Sequence, residues 1–409
     1  MERDADVIVV GGGLSGAATA IGLARGGARV VVVDKTEFPR DKPCGEGLLP
    51  HVLAALADIG CGDVVDACGG QPFRGILYHC GGVIARGDFI SASGAPTVGR
   101  GVRRRLLDEA VRGRAVAAGA RLAQSAVRDV AVDEAGARVT LDDGAVLTAA
   151  VVVGADGPRS VTRHSLGLDG GVPRRPRYAL RRHFHLAPGV SLPDRVEVHV
   201  GGGHELYVTP VEPGTVGVAA LCERSVMTSG DGRPDDRLGA LIARCPPLAA
   251  RLAGAEPVGP ALSCGPLRVR TTGVWRGRAV LVGDAAGYVD AITGEGMSLA
   301  LKTASLASDA ALAVLNGAAP NTAFARYARA RSRAFFDHAA LTHGLVWLAR
   351  HPWFARRAIA RLAQEPALFS RLLAVNAGER SLFSLGLIDG LKLAIGASPE
   401  PAYGASPAQ

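Results

Sequence analysis

The stretch DVIVVGGGLSGAATAIGLARGGARVVVVDK, residues 6–35, runs from a β-branched tract through a glycine turn and a small-residue segment into a second β-branched tract. Strand, turn, helix and strand follow in that order, which is a βαβ unit. It carries Gly11-x-Gly13-x-x-Gly16, with Ser15 inside the turn, and closes on Asp34 and Lys35. Gly11 permits the tight turn, Gly13 admits a pyrophosphate close to the backbone, and Gly16 lets the helix settle on the strand. The helix start then offers free N–H groups to an anion. Asp34 stands at the distance where a carboxylate accepts from ribose hydroxyls and repels a 2′-phosphate. Residues 7–24 are uncharged, but the glycines argue against a membrane span or a secretory leader.

Around this unit the chain has 409 residues, 48% hydrophobic and 21% charged, enough for two or three structural units in one body. Lys and Arg number 46 against 38 Asp and Glu, a formal charge of +8. The arginines are spread out, densest at 103–105 and 174–182. Nucleic-acid binding would gather them on one groove-fitting element with a recognisable motif, and no such motif is present. An anionic cofactor or substrate accounts for part of the excess equally well. Seven cysteines form no CxxC pair, and an odd count without a leader fits free thiols in a reducing cytoplasm.

Two further segments repeat the theme of a buried strand ending in a glycine–aspartate turn. VVVGADGPRSVTR, residues 151–163, ends its strand in Gly154-Ala155-Asp156-Gly157. GRAVLVGDAAGYVDAITGEGMSLALKTASLASDAAL, residues 277–312, reaches Gly283-Asp284, a glycine loop and a long helix. With the first motif these segments resemble the FAD-binding signatures of flavoprotein monooxygenases of the para-hydroxybenzoate hydroxylase fold. Within that superfamily the chain is most similar to the branch containing geranylgeranyl reductases and flavin-dependent halogenases, over roughly residues 5–330.

The resemblance implies an α/β fold: a Rossmann-like FAD domain, an antiparallel β-sheet substrate domain and a C-terminal helical region. The expected divisions are 1–75, 98–165 and 268–325 for FAD; 76–97 and 166–267 for substrate; 326–395 for a helical cap; and 396–409 for a disordered tail. It also implies that Asp284 receives a ribityl hydroxyl, that Arg104 (with Leu107 and Asp108) lies near the pyrophosphate or ribityl, and that the backbone at Val127 meets the adenine. The plainer alternative makes Arg104 part of a solvated helix face. Gly294, Gly296 and Met297 bring bare backbone and a helix start to a flat ring, where negative charge grows on reduction. The cofactor set is therefore Gly11, Gly13, Ser15, Gly16, Asp34, Lys35, Arg40, Arg104, Val127, Asp156, Gly283, Asp284, Gly294, Gly296 and Met297.

By the same resemblance RDKPCGEGLLP, residues 40–50, returns to the flavin and sets Cys44 and Glu46 at the substrate side. Burial would raise the carboxyl's pKa, making Glu46 a candidate proton donor or base, while Arg40 and Lys42 would push the other way. The blander alternative makes Cys44 a small buried hydrophobe and pairs Glu46 with Lys42. Between 170 and 267, short alternating runs suggest an antiparallel sheet. There HELYVTPVEPGTVGVAAL retains only Tyr207 and Pro210 of the prenyl reductases' aromatic motif, and the halogenases' Trp-x-Trp-x-Ile-Pro is absent. His183, His185, His199 and His204 lie in or beside these strands, and with no carboxylate at ligand spacing no metal is expected.

From about 325 the chain reads as helices broken at Pro352 and Pro366, bearing Trp347, Trp353, Phe354 and Phe369 among arginines. These form either a cap or a surface making weak membrane contact to collect a lipidic substrate. The function expected is an NAD(P)H-dependent monooxygenase hydroxylating an apolar aromatic or polyketide-like small molecule through a flavin C4a-hydroperoxide. NAD(P)H would bind transiently. Two alternatives stay open: a geranylgeranyl-reductase-like enzyme acting on a C=C bond, and a flavoprotein that modifies another polypeptide.

Overall fold

The computed structural model describes residues 3–91, 93–171, 175–228, 232–377, 379–380, 382–386, 389 and 396–397. The expected disordered tail lies, apart from 396 and 397, outside the described residues.

Val7–Val10 is a central strand of a six-stranded sheet, flanked in parallel by Val30–Asp34 and Val151–Gly154. Arg121–Gln124 and Ala279–Leu281 extend it in parallel on either side, and Trp275–Arg276 adds an antiparallel edge. The four apolar strands at its centre are buried at every residue. That is why they read as unbroken Val, Ile and Leu runs, since a parallel sheet covered on both faces has no polar side. The helices Leu14–Arg25, Arg104–Ala117 and Gly296–Leu315 pack together against it. Gly296–Leu315 is long and apolar enough to cross a membrane by composition, yet Leu301, Ala304, Ala307 and Ala311 are core residues. A three-stranded meander, Val127–Val132, Ala137–Leu141 and Val146–Ala149, turns at Asp143-Gly144, where Gly144 takes φ +88°.

The second sheet has seven strands in the order Glu256–Cys264, Arg177–His185, Thr215–Glu223, His204–Glu212, Val196–Gly201, Gly75–Cys80 and Val83–Asp88. It is antiparallel as expected from the alternating runs, with one correction: Val196–Gly201 pairs Gly75–Cys80 in parallel. This happens because the 75–88 hairpin enters the sheet from a distant part of the chain, and its direction is set by that entry.

Alternation gives the sheet two apolar faces. One, through Tyr78, Val198, Tyr207 and Leu221, looks into a large cavity. The other, through Leu206, Val208, Val216, Val218 and Ala220, packs on Leu238, Leu241 and Leu248 of the short helices Pro234–Ala243 and Pro246–Arg251. Pro320–Ala349, Pro352–Gln364 and Pro366–Asn376 complete the fold, each opening on a proline where no N–H is required. The last two cover the hairpin edge of the sheet. Phe369 packs on Tyr78 with ring centroids 5.4 Å apart and planes tilted by 36°, and lies over Gly87, whose bare Cα makes room for it.

Candidate active site

A cavity of about 1080 Å³ lies between the two sheets and the C-terminal helices. Gly11, Gly13, Ser15, Asp34, Lys35, Arg40, Arg104, Val127, Asp156, Asp284, Gly294, Gly296 and Met297 all line it, as do Cys44 and Glu46. Gly16 and Gly283 do not, and their role is close packing: a Cβ on Gly16 would sit 1.8 Å from Gly11 O, and one on Gly283 2.7 Å from Ser15 Oγ.

The nucleotide end is preorganised. Gly11 takes φ +102° and donates its N–H to Val33 O at 2.7 Å. Gly13 caps the first helix without a side chain, so the helix's first N–H groups stay available to an anion. Asp34 is held by Gly12 N–H to Oδ2 at 2.7 Å and Thr36 N–H to Oδ1 at 2.8 Å. Beside Gly13 stands Arg40, whose buried Nε has no partner among the described residues. Asp156 lines the cavity with its carboxylate already bonded. Ser160 Oγ donates to its Oδ1 at 2.5 Å, and Thr162 N and Oγ1 donate to its Oδ2 at 3.0 and 3.1 Å, so the carboxylate is engaged locally.

At the other end, a Cβ on Gly294 or Gly296 would meet no protein atom within 4 Å, so this loop edges open space. Asp284 faces Lys42 Nζ at 3.6 Å. Arg104, placed by its helix, is buried and clamps Asp108 with two bonds of 2.8 and 2.9 Å. Burial pulls its pKa down, but Asp108 and the Cys44 sulfur outweigh that and hold it above the ordinary value. A bidentate, buried pair of this kind is no solvated helix face. The bare glycine turns, the uncapped helix start, the unpartnered Arg40 Nε and the open loop at 294–296 together fit an FAD: anion at one end, flat ring at the other.

The 40–48 loop is fastened to the second sheet. Arg181, 2% exposed, bonds Asp41 through both amino groups and donates to Lys42 O at 2.9 Å. Arg181 Nη1 also lies 2.9 Å from His183 Nδ1. A guanidinium can only donate, so Nδ1 accepts and Nε2 carries the hydrogen. That Nε2–H points at Glu46 Oε2, 2.5 Å away. Glu46 Oε1 accepts Arg104 N–H at 2.9 Å. The partner of Glu46 is thus His183, not Lys42, which corrects the local pairing: the sheet face nearest the loop brings an imidazole closer than the loop's own lysine. Glu46 is 1% exposed and takes φ +62°, unusual for a residue with a side chain. Cys44 is half-buried, and its Sγ accepts Glu46 N–H at 3.4 Å and Arg104 Nη1 at 3.5 Å.

Other features had no clear sequence signal. Glu295, inside the Gly-Glu-Gly loop, bonds His51 at 2.8 Å and accepts from Asn376 Nδ2 at 3.0 Å, and burial raises its pKa. Arg177 is enclosed by Asp290, at 3.0 Å, and Glu205. Burial raises Glu205 to about 7 against the opposing pull of Arg177. Tyr207 donates to Ile292 O at 3.3 Å, and burial lifts its pKa well above the usual range, keeping it a phenol. One sequence expectation is corrected outside the cavity: a carboxylate does stand at ligand spacing from a histidine, because Glu197 precedes His199 by two residues on one strand face.

The family model described as an FAD binding domain matches residues 4–339. The menaquinone reductase of Mycobacterium tuberculosis (strain ATCC 25618 / H37Rv) is 32% identical over 327 residues, covering 76% of this chain and 77% of that protein. The ubiquinone hydroxylase UbiL of Rhodospirillum rubrum is 34% identical over 176 residues, 41% of this chain and 40% of its own length. Among solved structures, a flavoprotein/dehydrogenase from Cytophaga hutchinsonii superposes with a TM-score of 0.80 at 23% identity, covering 91% of this chain and 93% of that one. At that identity the last likeness speaks for the fold alone.

Proposed function

Because the chain belongs to the FAD-binding-domain family of FAD-dependent oxidoreductases, we propose that it reduces a carbon–carbon double bond of an elongated apolar molecule of the lipid-quinone or prenyl class. The observation that carries this reading is the cavity wall opposite the cofactor cradle. Ile76, Val196 and Val198 from the sheet and Leu345, Phe369 and Leu373 from the helices form one apolar lining. Charged groups nearby are turned into the protein: Glu46 to His183, Arg177 to Glu205 and Asp290. An apolar chain fits such a wall, and a polar substrate would leave its own groups unpaired. The likeness to a menaquinone reductase over three-quarters of both chains supports the same class.

When bound, FAD supplies the hydride, replenished by NAD(P)H as a transient reductant. The chain's own residues do the rest. The uncapped helix starts and the buried Arg104 hold and orient the anionic cofactor, and the apolar lining excludes water from the reacting bond. Cys44 Sγ, the half-buried thiol at the head of this cavity, gives a proton to the carbon that receives no hydride. Saturation then requires one hydride and one proton, and the thiol regains its proton from solvent.

Oxygenation remains a second reading, favoured by the partial likeness to a ubiquinone hydroxylase and by the loss of the prenyl reductases' aromatic motif around Tyr207. The two are separated by one experiment. Reduced enzyme mixed in the absence of air with a geranylgeranyl compound, or with a menaquinone whose ring is reoxidised to the quinone before mass analysis, should give a product with two added hydrogens in its prenyl chain. A product that gains oxygen, and forms only when air is admitted, overturns the reductase.

Substrates of this class partition into bilayers. Trp347, Trp353, Phe354 and Phe336 stand exposed on the two helices that also contribute Leu341, Leu345 and Leu362 to the cavity. Arg350 and Arg356 flank the tryptophans, and Arg357 lies over Trp353 at 5.0 Å. We assign this face to weak contact with an anionic membrane surface by an otherwise cytoplasmic protein. Trp347→Ala with Trp353→Ala should cut co-sedimentation with phosphatidylglycerol vesicles at least severalfold while leaving the flavin spectrum intact. Unchanged sedimentation would leave these rings as cap packing only.

A further inference from the structure

On the face of the second sheet turned away from the cavity, three potential ligands converge. Gly75–Cys80 and Val196–Gly201 run parallel with His79 directly beside His199. Glu197, two residues before His199, shares its side of the pleat, while Tyr78 and Val198 point the opposite way into the cavity. The two imidazole rings stack with centroids 4.4 Å apart and planes 17° from parallel. Glu197 Oε2 is 3.5 Å from His199 Nε2. One ligand atom from each of the three residues can be chosen so that all lie within 4.8 Å of one another.

The hydrogen-bond accounting is what sets this cluster apart from ordinary strand histidines. His199 is 5% exposed, and its Nε2 has only the long 3.5 Å approach of Glu197, while the buried Nε2 of His79 has no hydrogen-bond partner among the described residues. An orphaned imidazole nitrogen beside a loosely held one is uncommon in a folded interior. Glu197 is 6% exposed. Its other oxygen, Oε1, accepts from Arg251 at 2.5 Å, an outer contact that fixes the carboxylate and leaves Oε2 facing the imidazoles.

We propose that His79, Glu197 and His199 bind a divalent transition-metal ion of the zinc type, separate from the flavin site. Imidazole nitrogen and carboxylate oxygen suit such an ion, with bonds of about 2.0–2.2 Å and a fourth position left to water. Bonds of that length ask the ligand atoms to sit roughly 3.3 Å apart. His79, half-buried where the other two are buried, is the member with most freedom to turn toward them. The Arg251 charge on the same carboxylate opposes the ion, so affinity in the micromolar range is expected. The metal would tie the 75–88 hairpin to the sheet whose other face lines the cavity, and its place is structural.

The test uses the FAD-loaded full chain, stripped with chelator and with accessible thiols alkylated, titrated calorimetrically with Zn²⁺. Wild type should bind one more equivalent than His79→Gln, and His199→Ala should lose the same equivalent. Glu197→Gln should weaken it at least tenfold. Zn²⁺ should also raise the wild-type melting temperature and leave that of His79→Gln unmoved. Equal stoichiometry in wild type and His79→Gln, each with a native flavin spectrum, overturns the proposal and makes the trio a stacked imidazole pair with a neighbouring arginine–glutamate bridge. His79 is the least buried of the three, so the His79→Gln comparison carries the test where His199→Ala fails to fold.

Discussion

Gly16→Ala should purify colourless and bind added FAD about a hundredfold more weakly than wild type, read from the flavin-to-protein absorbance ratio and an FAD titration. The new methyl carbon would lie 1.8 Å from Gly11 O, 2.9 Å from Gly11 C and 3.2 Å from Ala155 Cβ. The first two are backbone atoms. They cannot step aside, because Gly11 is held by its bond to Val33 and its strand is paired on both sides. The helix Leu14–Arg25 must therefore withdraw, taking with it the uncapped N–H groups that its start offers to an anion. Overpacking of this kind costs about 1–3 kcal/mol. Loss of aligned N–H donors to an anion adds to that, and about 2.8 kcal/mol corresponds to the hundredfold stated. Unaltered FAD affinity in Gly16→Ala would mean that the helix start does not hold the cofactor.

Glu46→Ala should lower unfolding stability by about 2–5 kcal/mol, read as a fall in the denaturant midpoint with unchanged slope. Truncation leaves His183 Nε2–H and Arg104 N–H without acceptors in a fully buried site. Each buried orphan costs about 1–3 kcal/mol, and the alanine inherits a backbone at φ +62° that favours glycine. Glu46→Gln should retain most of the stability, since its amide oxygen can still accept one of these bonds. His183→Ala should lose a similar amount, and the double variant less than the sum of the two. This series also decides the role left open for Glu46. A variant with wild-type stability and abolished turnover would make it a catalytic group; a destabilised variant that recovers turnover on cooling would make it the fastening between loop and sheet.

Much of this molecule was legible in local sequence. A βαβ nucleotide fold requires short-range things: a β-branched run, a glycine able to reach φ +102° at Gly11, a small residue at Gly16, an acid at Asp34. Each acts within a turn or two of chain, so residue type and spacing carry the information. The two later glycine–aspartate turns work the same way, and all three border one cavity. Local reading went astray where a side chain had two possible uses. Asp156 lines the cavity as read, but its carboxylate is already taken up by Ser160 and Thr162 of the short helix that follows it. Glu46 had a lysine four residues away and took a histidine instead.

By itself, then, the sequence determined the FAD-binding architecture and the glycine turns that border one cavity, because steric rules for glycine and strand runs are local. Only the tertiary structure decided which polar groups meet: His183 with Glu46, 137 residues apart, and His51 with Glu295, 244 apart. It also decided that His79 lies beside His199, through the parallel register of two strands distant in the chain. Such pairings follow from how two sheets and a helical cap dock as wholes. Docking is driven by apolar area, which is nearly indifferent to partner identity, so no short window of residues records which side chains it will bring together.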